Sequence, residues 1–219
     1  KTPLTSIINY VDLIKRERVD NPKVQEYIEV LDTKSQRLKQ LTEDLVETSR
    51  ITSGNVKLDM QKIDLVELIY QTAGEFNEKF EAKELTIVTK LPKTEVMILA
   101  DGRQLYRVIE NLYNNVAKYA LEKTRVYVDV HVLEEKVTFS IKNVSERSLA
   151  LENSNAGDLT ERFIRGDASR TTEGSGLGLS IAKSLTQLMG GIFFIGVDGD
   201  LFKASITFPM YRETIDTDE

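Results

Sequence analysis

The sequence predicts an α+β protein: an N-terminal helical hairpin followed by a layered domain in which one mixed sheet carries its helices on one face. Two observations predict the hairpin. Residues 1–52 contain no glycine, and their apolar residues recur at helical spacing. One observation predicts the layered domain: from about residue 63 onward, helical patterns interleave with short runs that alternate apolar and polar residues. Between the two lies ITSGNVKLDMQK, where the repeat stops and the first glycine, Gly54, is met. The expected organisation is a hairpin over 1–52, a linker over 53–62, a layered domain over 63–212 and an acidic tail over 213–219.

Each element has a local reason. After Pro3, which fits a first helical turn, Leu4, Ile7, Ile8, Val11 and Ile14 form the stripe of an amphipathic helix. VDNPK interrupts it. Val24, Leu31, Leu38 and Leu45 then recur at intervals of seven, with Tyr27, Ile28 and Leu41 in the other seam position. Two helices bury such a stripe poorly, so two hairpins are expected to pair as a four-helix bundle in a symmetric dimer. The other reading packs the hairpin on its own layered domain. Asp64 can cap a helix carrying Leu65, Leu68, Ile69, Ala73, Phe76 and Phe80. LTIVTKL and VMILA read as strands, GRQLYRVIENLYNNVAKYAL as a helix, and RVYVDVHVL and KVTFSIKN as strands. A helix over about Gly178–Met189 and two strands, GIFFIGV and FKASITFPM, complete the domain.

Composition removes several classes of function. The chain has 219 residues, of which 41% are hydrophobic, enough for a packed core. No stretch approaches the roughly 18 apolar residues of a membrane span, and the start lacks a signal-peptide pattern, so membrane attachment is expected only through segments outside the chain. Cysteine is absent, which excludes disulfides and thiolate metal sites. A formal charge of −6 with no basic run argues against a sequence-independent grip on nucleic acid.

Three stretches carry candidate chemistry. In ENLYNNVAKY, Leu105, Val108, Ile109, Leu112 and Val116 make a core stripe, while Asn111, Asn115 and Lys118 fall at i, i+4 and i+7 on an adjoining one. Asparagine is a mediocre helix former. Its amide oxygen is a hard neutral ligand suited to Mg²⁺, and Lys118 can meet a phosphate; solvent-facing or capping asparagines are the bland alternative. EGSGLGLSIAKSL places Gly174, Gly176 and Gly178 just before an apolar helical run, where backbone amides favour an anion such as a nucleotide phosphate. Its spacing fits neither a Walker nor a Rossmann loop, and such a turn can also be a plain hinge. Between them, SNAGDLTERFIRGDASRTTEGSG reads as a binding loop or lid, with Phe163 as an apolar anchor and Arg165 and Arg170 within reach of a triphosphate.

ENLYNNVAKYA, ERFIRGDASR and GSGLGLSIAK, in this order, resemble the N, F and second glycine boxes of sensor histidine kinases, and KTPLTSI resembles the tail of their H box. The resemblance covers nearly the whole chain. It implies a dimerising hairpin that carries a phosphoacceptor histidine, followed by a Bergerat-type α/β sandwich that binds ATP with Mg²⁺. It implies that Asn111 and Asn115 hold the metal, that Lys118 lies near the phosphates and that Tyr119 flanks the adenine. Arg165 would approach the γ-phosphate with Arg170 nearby, and Gly174, Ser175, Gly176, Leu177 and Gly178 would form the lid hinge. The phosphoacceptor would lie three residues before Lys1, and Thr2, one helical turn after it, would be either a water-orienting phosphatase residue or a local cap. His131, the one histidine in the chain, reads as a sheet residue. The implied partners are a second copy of the chain through the hairpin and a response regulator receiver domain docking around Ser6, Asn9, Tyr10 and Leu13. The implied setting is the cytoplasmic portion of a membrane-anchored bacterial sensor.

One box departs from the family pattern. After VTFSI the first glycine box, Asp-x-Gly-x-Gly, should supply a carboxylate for the adenine amino group, and here the sequence is KNVSERS. Aligned directly, Lys142 takes the aspartate's place and Val144 and Glu146 replace the glycines, while Asn143 could substitute through its amide oxygen. The expected function is Mg-ATP-dependent histidine autophosphorylation followed by transfer to a regulator aspartate. Two alternatives stay open: a degenerate kinase serving as a dimeric scaffold or regulator phosphatase, and another ATP-binding member of the wider superfamily.

Overall fold

The computed structural model describes residues 2–16, 21–52, 56–146 and 177–212. Helices α1 (Thr2–Arg16) and α2 (Pro22–Thr52) form the hairpin. Asn21 starts α2, its carboxamide oxygen accepting from Lys23 N at 3.0 Å. Lys15 on α1 pairs with Asp32 and Glu29 on α2 and closes the two helices together. Val11 and Ile28 are buried between them, whereas Val24, Tyr27, Leu31, Leu38 and Leu45 stay exposed in the single chain. The far end of α2 packs on the last helix of the layered domain, and Ile51 joins that domain's core.

The layered domain begins inside the stretch read as a linker. Strand β1 (Met60–Asp64) pairs antiparallel with β3 (Met97–Asp101), so that Ile63 faces Ile98 across a two-stranded sheet of their own. This corrects the expectation of one mixed sheet. β3 turns away because Asp64 Oδ1 accepts from Val96 N at 3.2 Å and Leu65 N donates to Val96 O at 3.0 Å, tying β3's start to β1's end. Asp64 also caps helix α3 (Leu65–Glu75), as expected, by accepting from Val66 N at 3.0 Å. The helix predicted to run through Phe80 breaks at Phe76, whose φ of −100° and ψ of −2° end α3 and lead into a short helix α4 (Asn77–Glu81). The break keeps both Phe76 and Phe80 buried.

The main sheet has five strands in the order β2 (Thr86–Lys90), β4 (Arg125–Leu133), β5 (Lys136–Val144), β7 (Leu201–Pro209) and β6 (Ile192–Asp198). β2 and β4 run parallel; the other neighbours are antiparallel. Alternation sends Val137, Phe139, Ile141, Ala204, Ile206 and Phe208 to one face, where α3, α5 (Gly102–Tyr119) and α6 (Gly178–Leu188) cover them. The opposite face carries small polar residues, with Thr138 and Thr207 hydrogen-bonded across strands at 2.9 Å. His131 lies on this polar face, its Nδ1 3.3 Å from Asp129 Oδ1, as a sheet residue.

Helix α5 crosses the core with Leu105, Val108, Ile109, Leu112 and Val116 at most 1% exposed, the stripe read from the sequence. Its Tyr113 stacks against Phe76 and Phe80, with ring centroids 5.4 and 5.9 Å away. The Tyr113 hydroxyl is buried with no hydrogen-bond partner among the described residues, and burial pushes the phenol's pKa up. Tyr113→Phe keeps the ring contacts and removes an unmade hydrogen bond, so stability should hold or rise by about 1 kcal/mol. The readout is the urea midpoint at unchanged m-value, and a loss of similar size would mean that the hydroxyl is satisfied.

Candidate functional site

Asp101 places the candidate site. It ends β3, and its Oδ1 caps α5 by accepting from Arg103 N at 3.0 Å and Gln104 N at 3.1 Å, while Oδ2 accepts from Asp59 N at 2.9 Å. The sequence reading passed over this residue, although an aspartate before Gly102 and an apolar helical run is a cap signal. With α5 so started, its two flanks differ. Toward α3 and α4, Tyr106 donates to Glu75 at 2.7 Å and Lys79 to Asn114 at 3.3 Å, and burial above all holds the Glu110 carboxyl above the usual range. These contacts are structural. Toward α6 lie Asn111 and Asn115, both half-buried, and then the more exposed Lys118.

Helix α6 packs along α5, with its first residue, Gly178, beside that second flank. Asn111 Nδ2 donates to Arg107 O at 2.9 Å, which anchors the side chain on its own helix. Its Oδ1 is turned toward Gly178, where an added Cβ would lie 2.8 Å from it. Only glycine permits that approach. The start of α6 has neither a side-chain cap nor an acidic residue in its first turn, so a positive helix end stands beside an amide oxygen. Leu177 occupies the cap position and accepts from Ser180 Oγ at 2.7 Å.

The last turn of α5 is tied to the end of β5. Glu146 N donates to Tyr119 O at 2.8 Å, Leu121 N donates to Val144 O at 2.9 Å, and Ala120 bridges Ser145. From the other side Lys83 Nζ donates to Lys118 O at 2.9 Å and Ala120 O at 3.3 Å, capping the helix C-terminus with a cation. Nothing in the sequence around Lys83 signalled that role. Alternation along β5 sends Lys142 and Asn143 to opposite faces. Lys142 shares the polar face with Ser140 and Thr138, opposite Lys203 and Tyr127 in register, and Asn143 shares the helix-covered face with Phe139 and Ile141. Asn143 is 1% exposed, and its Oδ1 has no hydrogen-bond partner among the described residues.

The structure thus brings Asn111 to Gly178 and Leu177, and Tyr119 to the strand end beyond Asn143. Lys118 and Tyr119 close the same helix. Arg165, Arg170, Gly174, Ser175 and Gly176 lie outside the described residues, as does the side chain of Thr2. Among the described residues no group of three His, Cys, Asp or Glu could hold a metal; Asn111 and Asn115 offer neutral amide oxygens. Such a donor set fits a hard cation that keeps phosphate and water ligands.

The Gly178 contact separates packing from helix propensity. Gly178→Ala forces the Cβ against Asn111 and should cost about 1–3 kcal/mol. Gly74→Ala in α3, where an added Cβ meets nothing within 4 Å, should gain about 0.5–1 kcal/mol. Thermal midpoints moving in the same direction would contradict the close approach.

The chain is similar to known proteins in sequence and in fold. Residues 1–54 match the His Kinase A (phospho-acceptor) domain, and residues 100–212 match the family described as histidine kinase-, DNA gyrase B-, and HSP90-like ATPase. The sensor protein VanSC of Enterococcus gallinarum is 32% identical over 194 residues, covering 87% of this chain and 52% of the relative. The sensor histidine kinase WalK of Bacillus subtilis (strain 168) is 25% identical over 220 residues, covering 99% of this chain and 36% of the relative. The chain therefore spans about half, or less, of these relatives' length. In fold, it superposes on full-length ShkA in complex with AMPPNP with a TM-score of 0.78 at 22% identity, over 97% of this chain and 44% of that one. It also superposes on the Acinetobacter baumannii histidine kinase AdeS with a TM-score of 0.66 at 16% identity, over 95% and 96% of the two chains. A phospho-acceptor hairpin joined to an ATPase sandwich whose asparagine-bearing helix meets a glycine-led helix start places this chain in the sensor histidine kinase family, as its catalytic region.

Proposed function

We propose that this chain binds Mg-ATP between α5, the start of α6 and the end of β5, and phosphorylates a histidine imidazole carried by the hairpin upstream of Lys1. The observation that carries the reading is the meeting of the Asn111 amide with the glycine-led N-terminus of α6. Asn111 and Asn115 hold Mg²⁺, which neutralises charge on the phosphate oxygens. Lys118, Arg165 and Arg170 add positive charge near the phosphates, Gly174, Ser175, Gly176, Leu177 and Gly178 supply close backbone approach, and Tyr119 flanks the base. Chemistry at the γ-phosphoryl needs little more than this, since positioning and charge neutralisation provide most of the catalysis. The imidazole nitrogen forms a bond to the γ-phosphorus as the bond to the bridging oxygen of ADP breaks, and the phosphoryl group then passes to a carboxylate of a response regulator receiver domain.

The hairpin supplies both partners. Val24, Leu31, Leu38 and Leu45 form an exposed seam on α2 that a second copy covers in a four-helix bundle. Ser6, Asn9, Tyr10 and Leu13, exposed on α1, receive the regulator, with Thr2 orienting water for the reverse hydrolysis. No described helix is long and apolar enough to cross a membrane; we place this region on the cytoplasmic side of a membrane-anchored sensor. The alternative of a degenerate scaffold drew its support from the altered first glycine box. The helix-facing carboxamide of Asn143 removes much of that support, because a hydrogen-bond acceptor is still offered on the covered side of the sheet.

Asn115→Ala should abolish Mg-dependent nucleotide binding in titration calorimetry while leaving circular dichroism and oligomeric state unchanged; undiminished binding would refute the metal assignment. The decisive activity measurement extends the chain upstream through the histidine, adds Mg-ATP and looks by intact mass for an acid-labile, base-stable phosphate. Phosphate on the extended chain and none on residues 1–219 is the expected result. No phosphate on either, with the protein folded and dimeric, would favour the scaffold or phosphatase.

A further inference from the structure

Lys83 belongs to none of the sequence motifs, yet the turn that carries it is tightly held. It follows α4, where Leu85 N donates to Phe80 O at 2.9 Å and Glu84 N to Glu81 O at 2.9 Å. That is the paired bonding of a Schellman helix end, and it puts Glu84 in the left-handed region at φ 52°, which side chains other than glycine rarely adopt. Leu85 and Phe80, the apolar pair that such an end brings together, are both buried. The loop between α5 and β4 closes on this turn. Lys123, also left-handed at φ 61°, donates its N–H to Lys83 O at 3.0 Å, and Thr86 N donates to Thr124 O at 2.9 Å. The Lys123 and Glu84 side chains pair at 3.4 Å, but both are exposed, so the pair adds little. Two left-handed residues on facing loops mark a seam held against its local preference, as happens where a neighbouring site needs that geometry.

With its backbone pinned on both sides, Lys83 sends its half-buried side chain to the last turn of α5. Nζ donates to Lys118 O at 2.9 Å and to Ala120 O at 3.3 Å. This turn carries Lys118 and Tyr119, and it is the negative end of the helix dipole. Such an end is a poor neighbour for a polyphosphate, and left alone it frays. Resting on the nucleotide-site reading, we propose that Lys83 is a positioning residue of that site: it holds the last turn of α5 where Lys118 and Tyr119 meet the nucleotide, and its charge offsets the helix end that would repel the phosphates. Lys83 acts through α5 rather than on the substrate. Its neighbour in that task is the bond from Glu146 N to Tyr119 O at 2.8 Å, which ties the same turn to the end of β5. The two ties come from opposite sides, one from the turn after α4 and one from the sheet, so the turn is clamped between them.

Calorimetric titration of the chain with Mg-ATP tests this in wild type, Lys83→Met, Lys83→Arg and Tyr106→Phe, each with its ligand-free thermal midpoint. Tyr106→Phe removes the 2.7 Å bond to Glu75, which holds the middle of α5 on the flank toward α3 and α4, and so provides a loosened helix whose end is intact. Lys83→Met and Tyr106→Phe should both lower the thermal midpoint. Only Lys83→Met should also weaken Mg-ATP binding, by about tenfold, the scale of losing a charged donor. Lys83→Arg keeps the charge and the donors and should bind within about threefold of wild type. Lys83→Gln, which keeps a neutral donor on a shorter side chain, should fall between Lys83→Met and wild type, and it decides the matter if Lys83→Met does not fold. Wild-type affinity in Lys83→Met, or in Lys83→Gln standing in for it, overturns the inference. So does an equal loss of affinity in Tyr106→Phe, or a loss in Lys83→Arg as large as in Lys83→Met. Each of these leaves the nucleotide site standing as long as binding by wild type still needs Asn115. No binding of Mg-ATP by wild type overturns the site along with it.

Discussion

Helix α6 approaches α5 so closely at Gly178 that a methyl group there would lie 2.8 Å from Asn111 Oδ1. The remainder of the site depends on that approach. A helix start brings backbone N–H groups and a partial positive charge, but its field falls off within a turn, so it acts only on what stands directly beside it. Asn111 stands there because its own Nδ2 is bonded to Arg107 O, which leaves Oδ1 directed at the glycine. Any larger side chain would separate the amide oxygen from the helix end. A single missing Cβ lets the two helices meet here.

Holding α5 in that position takes contacts along its whole length. Asp101 fixes its start to the two-stranded sheet, the Tyr106–Glu75 bond and the aromatic group around Tyr113 fix its middle to α3 and α4, and Lys83 with Glu146 fixes its end. The contacts are shared out by flank. Tyr106 and Asn114 make their bonds on the side toward α3 and α4, and Asn111 and Asn115 lie on the side toward α6. The helix that carries Asn111 and Asn115 is thereby held at its start, middle and end, which is what a preorganised ligand site requires.

How much of this was legible in the sequence varies with the range of the signal. The α5 core stripe, the Asp64 cap and the strands β4 to β7 are local patterns of period or capping chemistry, and they are where the sequence put them. β1 was hidden because its five residues, Met60–Asp64, are paired only through contacts with a strand more than thirty residues away, and a short half-polar run carries no period of its own. The break at Phe76 was hidden for a related reason: Phe76 and Phe80 are four apart, a spacing that suits one continuous helix as well as two short ones packed on Tyr113. Lys83 had no local signal at all, since its partners are backbone carbonyls of a distant helix end.

The first glycine box shows where motif alignment gives way to strand geometry. Counting letters from VTFSI puts Lys142 at the aspartate's position, but a pleated strand sends neighbouring side chains to opposite faces, so a shift of one residue changes which layer a side chain enters. Ile141 is buried under the helices, and parity alone then requires Asn143, not Lys142, to continue that row. The same parity puts Lys142 on the polar face, half-buried beside Lys203. The covered face therefore carries a carboxamide, whose Nδ2 donates to the Val144 carbonyl and whose Oδ1 has no hydrogen-bond partner among the described residues.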